Sequence, residues 1–83
     1  MKTPNISKSA EKALDKMDFQ TKTRILGGIM GLFVEPPQGD IKSLKGQLAG
    51  LYRLRVGSWR IVYEITENAI NIIDVTPRGG AYK

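Results

Sequence analysis

Tyr52-Arg53-Leu54-Arg55-Val56-Gly57-Ser58-Trp59-Arg60-Ile61-Val62-Tyr63-Glu64-Ile65 is the stretch that decides the fold. Two alternating runs flank Gly57-Ser58, a two-residue loop whose leading glycine suits a type II′ turn, so the stretch reads as a β-hairpin. The loop sets the register. Val56 faces Trp59, Arg55 faces Arg60, Leu54 faces Ile61, Arg53 faces Val62 and Tyr52 faces Tyr63. Opposite residues share a face, and faces alternate along each strand. One face is then Tyr52, Leu54, Val56, Trp59, Ile61, Tyr63 and Ile65, which is a core. The other carries Arg53, Arg55 and Arg60. Two arginines directly opposite each other cost stability. A face that concentrates cations at that cost suggests a polyanionic partner, although solvated surface arginines are the plainer reading of the same pattern.

Working outward, residues 2–6 read as a short edge strand, the only place in a sheet where Pro4 is tolerated. Ser7 or Ser9 can cap a helix to about Met17, with Ala10, Ala13, Leu14 and Met17 at helical spacing. Asp18 can cap a second helix, where Ile25, Leu26, Ile29, Leu32 and Phe33 form an apolar stripe that Pro36-Pro37 ends. Gly27, Gly28 and Gly31 each cost that helix about 1 kcal/mol relative to Ala, which points to close packing ahead of a groove for a partner helix. Residues 38–50 read as a polar connection. Strands follow at about 51–56, 59–66 and 70–76, the last two joined at Glu67-Asn68-Ala69. Pro77 stops the last strand, and Gly79-Gly80 loosens the tail. The expectation is one α+β domain spanning residues 1–83. Its two N-terminal helices pack on one face of a small, mainly antiparallel sheet of three to four strands, with the arginine face left open.

Composition narrows the chemistry. The 83 residues carry no cysteine, so disulfides and thiolate zinc sites are excluded, and no histidine, so the usual general base and commonest metal ligand are missing. Any reaction must run on Arg, Lys, Tyr, carboxylates or hydroxyls. Glu64 and Asp74 are the only carboxylates in the three predicted C-terminal strands and read as surface charges, which disfavours a metal-dependent nuclease. No apolar run approaches the ~20 residues of a membrane span, and the start lacks a signal-peptide pattern. A cytoplasmic protein with no membrane partner and no cofactor is expected. The net charge of +5 favours nucleic acid or an acidic partner.

Several segments together carry a resemblance: Leu44-Lys45-Gly46, Tyr52-Arg53-Leu54-Arg55-Val56-Gly57, Trp59-Arg60-Ile61-Val62-Tyr63-Glu64-Ile65, Ile73-Asp74-Val75-Thr76-Pro77-Arg78, and Tyr82. As a set they resemble the RelE/ParE superfamily of toxins from toxin–antitoxin systems, over essentially the whole chain. The RelE branch consists of ribosome-dependent messenger-RNA endonucleases acting in the ribosomal A site, where the RNA 2′-hydroxyl attacks the adjacent phosphate. The resemblance implies that Arg60 stabilises the phosphate in the transition state and that Arg78 stands near the leaving oxygen. It implies Tyr82 as general base or base-stacking residue. Arg53 and Arg55 stand where a lysine pair usually stands, and Lys45 matches an RNA-contacting position. Arginine in place of lysine keeps the charge but not the capacity to move a proton, so a base role there is not expected. The hairpin loop is shorter than in the best-known members. The chain ends one residue past Tyr82, without the C-terminal helix of some members, so Tyr82 is expected to order on RNA.

Fixed guanidinium groups make this chemistry reasonable without histidine, because in-line phosphoryl transfer needs mainly positioning and charge stabilisation. Adjacent arginines should also favour the Tyr82 phenolate. Trp59, Tyr52 and Tyr63 share the apolar face and are read as core, not base-stacking, residues. Two other functions fit the same hairpin: a ParE-type toxin that binds DNA gyrase and cuts nothing, or a non-toxic nucleic-acid-binding module. Arg60, Arg78 and Tyr82 together favour the nuclease. Either toxin implies an antitoxin whose acidic, partly disordered tail folds over the basic face. Operator DNA would be bound only through that complex.

Overall fold

In the computed structural model of the chain, which describes residues 2–77, the elements run β1 (Thr3–Ile6), α1 (Lys8–Asp15), α2 (Phe19–Met30), β2 (Asp40–Ser43), β3 (Tyr52–Val56), β4 (Trp59–Ile65) and β5 (Ala69–Pro77). Short 3-10 turns occupy Gly31–Phe33 and Gly46–Leu48. The hairpin β3–β4 has the register that its loop imposes, from Tyr52 opposite Tyr63 to Val56 opposite Trp59. Gly57 takes a φ of +59°, while Ser58, like every described non-glycine residue, keeps φ negative. That combination identifies the turn as type II′ and not I′.

The sheet is larger than expected. It has five strands in the order β1-β5-β4-β3-β2, and it is mixed, because β1 pairs parallel to β5. The segment 38–50 is not only a connection, since it contains β2, antiparallel to β3 with Asp40 opposite Arg55 and Ile41 opposite Leu54. Four residues with one apolar position are too short for a period-2 signal. The strand forms because its open backbone groups complete the β3 ladder and Ile41 packs against the core.

β5 holds the second departure. Val62 faces Asp74 but Tyr63 faces Ile72, so Ile73 is an extra residue, a β-bulge. Ile70, Ile72 and Val75 all reach the core even though the last step is three residues. An uninterrupted strand would put Val75 on the other face. The Ser7 hydroxyl donates to the Ile73 carbonyl at 2.6 Å and accepts from the Ala10 amide at 3.1 Å, tying the bulge to the N-cap of α1.

Both helices cover the predicted apolar face, α1 over β5 and α2 over β3. Ala10, Leu14, Ile25, Ile29 and Leu32 meet Leu54, Ile61, Tyr63, Ile70, Ile72 and Val75 in one core, each large aliphatic contributing about 1.5–3 kcal/mol. Close packing is real at Gly28, where an added Cβ would come within 2.7 Å of Val56 Cγ2. It is absent at Gly27, which faces open space. Asp18 caps α2 through the Thr21 amide and hydroxyl, and these bonds hold its carboxyl below the usual carboxylate range. No described helix is long and apolar enough to cross a membrane.

Candidate functional site

The face away from the helices is organised in rows, because directly opposite residues on neighbouring strands point the same way. One row crosses four strands: Asp40 on β2, Arg55 on β3, Arg60 on β4 and Thr76 on β5. The next row is Lys42, Arg53, Val62 and Asp74. The bulge at Ile73 makes this arrangement possible. It keeps Thr76 opposite Arg60 while Val75 stays in the core, and the Asp74 carboxylate accepts from the Ser9 hydroxyl of α1 at 3.1 Å.

The arginine face is not uniformly open. Arg53 is only 8% exposed, and Val62 beside it only 1%. Arg53 Nη1 lies 3.6 Å from Asp40 Oδ1 and 3.5 Å from the Asp40 carbonyl oxygen. Arg55 Nη1 lies 3.9 Å from Asp40 Oδ2, so one carboxylate serves two arginines. Exposed ion pairs contribute ~0–1 kcal/mol. The Arg53 pair is worth more to the fold, because an unpaired guanidinium at that depth would have lost its water without compensation. Arg55 and Arg60 are partly exposed, yet the Nε atom of each is buried and, like Thr76 Oγ1, has no hydrogen-bond partner among the described residues. Three unpaired polar atoms thus fall on one row. Each can take a partner from solvent or from a bound anion.

Of the residues singled out from sequence, Arg53, Arg55 and Arg60 come together here. Lys45 does not join them. It is exposed and lies about five residue steps along from Asp40, on the order of 15 Å from the row. Arg78 and Tyr82 lie outside the described residues. Tyr52 and Tyr63 stack on the core side with ring centres 5.6 Å apart, and Trp59 packs against the same core. Asp40 and Thr76 were missed. Asp40 sits in a strand too short to carry a periodic signal, and the face of Thr76 depends on a bulge that no local pattern marks. Among the described residues, no three His, Cys, Asp or Glu side chains gather as a metal site would need.

Comparison with known proteins follows the same outline. The family described as ParE toxin of type II toxin–antitoxin system, parDE, matches residues 5–82. The archaeal RelE–RelB complex from Pyrococcus horikoshii contains a chain 31% identical to this one, covering 96% of this chain and 98% of its own, at a TM-score of 0.78. The RelBE2 toxin–antitoxin complex from Mycobacterium tuberculosis gives 24% identity, 93% and 98% coverage and a TM-score of 0.78. The YoeB/ParE toxin from Agrobacterium tumefaciens gives 21% identity, 94% and 99% coverage and a TM-score of 0.78. The last two show the shared fold. Among curated proteins no sequence matches.

Proposed function

The chain belongs to the ParE toxin family within the RelE/ParE superfamily, toxins of type II toxin–antitoxin systems, and from its likeness to the P. horikoshii RelE chain we propose that it is an endoribonuclease that cuts messenger RNA in the ribosomal A site. The observation that carries this reading is the row Asp40–Arg55–Arg60–Thr76, with Arg60 at its centre. Guanidinium groups flanking one position on an otherwise hydrogen-bonded sheet offer two-point contact to a phosphate.

In the proposed reaction the ribose 2′-oxygen attacks the adjacent phosphorus. The new P–O bond closes a cyclic phosphate while the bond to the 5′-oxygen breaks. The 2′-hydroxyl proton leaves to a base and the 5′-oxygen gains one. Arg60 neutralises the charge that builds on the non-bridging oxygens. On the family pattern, Arg78 stands near the leaving oxygen and Tyr82 acts as base or stacking platform. Arg55 and Arg53 hold the RNA backbone, Arg53 from a buried position, and Lys45 extends the basic track toward the far end of β3. A cognate antitoxin with an acidic, partly disordered tail is the proposed partner, as the P. horikoshii RelE is found with RelB. Operator DNA is reached through that complex alone.

A second reading, inhibition of DNA gyrase without cleavage, is favoured by the family match itself, which names ParE. Primer extension on a translated reporter messenger RNA, with purified protein and with or without ribosomes, separates the two. Ribosome-dependent cuts at codon positions are expected. Growth arrest without cuts would move the function to the gyrase-binding branch, and normal growth without cuts would leave a silent binding module.

A further inference from the structure

We propose that Asp40 is a positioning residue whose carboxylate holds Arg55 apart from Arg60 and so sets the gap in which a phosphate is gripped. Its effect on catalysis rests on the nuclease reading, but its effect on the arginines does not.

Arg55 lies between an anion and a cation in one row, with Asp40 opposite on β2 and Arg60 opposite on β4. Like charges facing each other across a ladder repel, and a carboxylate on the outer side draws Arg55 toward β2. The carboxylate is itself anchored. Its Oδ1 lies 3.6 Å from Arg53, and Arg53 is buried and also approaches the Asp40 backbone carbonyl. A buried side chain that has shed its rotamer freedom is a fixed post. Its partner oxygen, Oδ2, lies 3.9 Å from Arg55. The chain of restraint therefore runs from Arg53 to Asp40 to Arg55. The Nε atoms of Arg55 and Arg60 are already buried, so only the outer parts of these side chains remain to be placed. Preorganised donors stabilise developing charge because they need no reorganisation at the moment of reaction.

Two other roles for Asp40 make different predictions. A stitch between β2 and β3 would affect stability alone. A mask that competes with phosphate would slow the wild-type protein, and its removal would speed cleavage.

Full-length wild type, Asp40→Asn and Asp40→Glu separate these roles through three measurements: affinity for a labelled single-stranded RNA oligonucleotide, ribosome-dependent cleavage rate, and the 15N NMR signals of the arginine Nε–H groups. Asp40→Asn should leave RNA affinity unchanged or raised, since a negative charge is lost. It should lower the cleavage rate about 10- to 100-fold and shift the Arg55 Nε–H signal, with faster hydrogen exchange. Asp40→Glu should restore most of the rate. Faster cleavage by Asp40→Asn would overturn the proposal in favour of a mask. An unchanged rate with an unchanged Arg55 signal, or a loss of binding and rate in step with unfolding, would overturn it in favour of a stitch. If the wild type cuts no RNA on ribosomes, the nuclease reading falls by itself. The Arg55 signal then decides: a signal indifferent to Asp40→Asn overturns the proposal, and a shifted, faster-exchanging one sustains it.

Discussion

Arg60 has a cation on one side and a hydroxyl on the other, Arg55 and Thr76, and no described acid opposite it in its row. Arg53, two steps away, is buried against Asp40. The two arginines therefore do different work. Removing Arg53 strips a buried partner from the fold, whereas removing Arg60 strips charge from a surface. Arg60→Ala should abolish toxicity on overexpression while the thermal midpoint and antitoxin binding change little. A toxic Arg60→Ala protein would sink its catalytic assignment. On the core side, burial first and the neighbouring Tyr52 second push the Tyr63 hydroxyl up to about 12. An unfolded chain ionises tyrosine near ~10. Between those values the folded state keeps a proton that the unfolded state has released. The contribution is therefore complete below pH ~10 and is lost as pH rises to about 12. Urea midpoints taken across that window should fall further for wild type than for Tyr63→Phe.

At the scale of elements, the hairpin and the bulge divide the labour. The hairpin places Arg55 against Arg60 through its loop length alone. The bulge absorbs Ile73 as an extra residue in β5, which keeps Thr76 opposite Arg60. Deleting Ile73 should cost little more than substituting it. Deletion leaves Ile72, Asp74 and Val75 consecutive, so simple alternation keeps Ile72 and Val75 on the core face and Asp74 on the other, opposite the same β4 partners. What is lost is the Ile73 carbonyl that accepts from the Ser7 hydroxyl and the local bend of the bulge, a small part of the stability of the domain. Circular dichroism should show cooperative melting for both the deletion and Ile73→Ala, the latter at a position 37% exposed; a deletion that does not melt cooperatively would show that the bulge itself holds β5 in register.

At the scale of the molecule, one layer of helices over one sheet leaves the second sheet face for a ligand, and the excess of 13 cations over 8 anions suits an anionic one. If RNA occupies that face, its affinity should fall linearly in log–log form with salt. Each lost phosphate contact should reduce the slope by about 0.7 for single-stranded RNA. Arg60→Ala should remove about one such contact. A slope that does not change in a titration of labelled oligonucleotide from low to moderate salt would place the RNA elsewhere. Proposed antitoxin binding belongs to this scale too, since an acidic tail would compete for the same charge.

Much of this was legible in the chain. A glycine-led two-residue loop between alternating runs has one sensible pairing, so the hairpin register, its core face and the meeting of Arg55 with Arg60 follow from local stereochemistry. Ser7 and Asp18 announce their helices because a cap is a bond to a residue three positions away. β2, the parallel pairing of β1, the burial of Arg53 and the bulge at Ile73 were decided only in three dimensions. Each depends on partners far away in the chain. A four-residue strand forms when a neighbour completes its hydrogen bonds, and a bulge forms when Val75 gains more from the core than the ladder loses from one unpaired residue. An arginine can be buried only where a carboxylate such as Asp40 arrives from another strand to meet it.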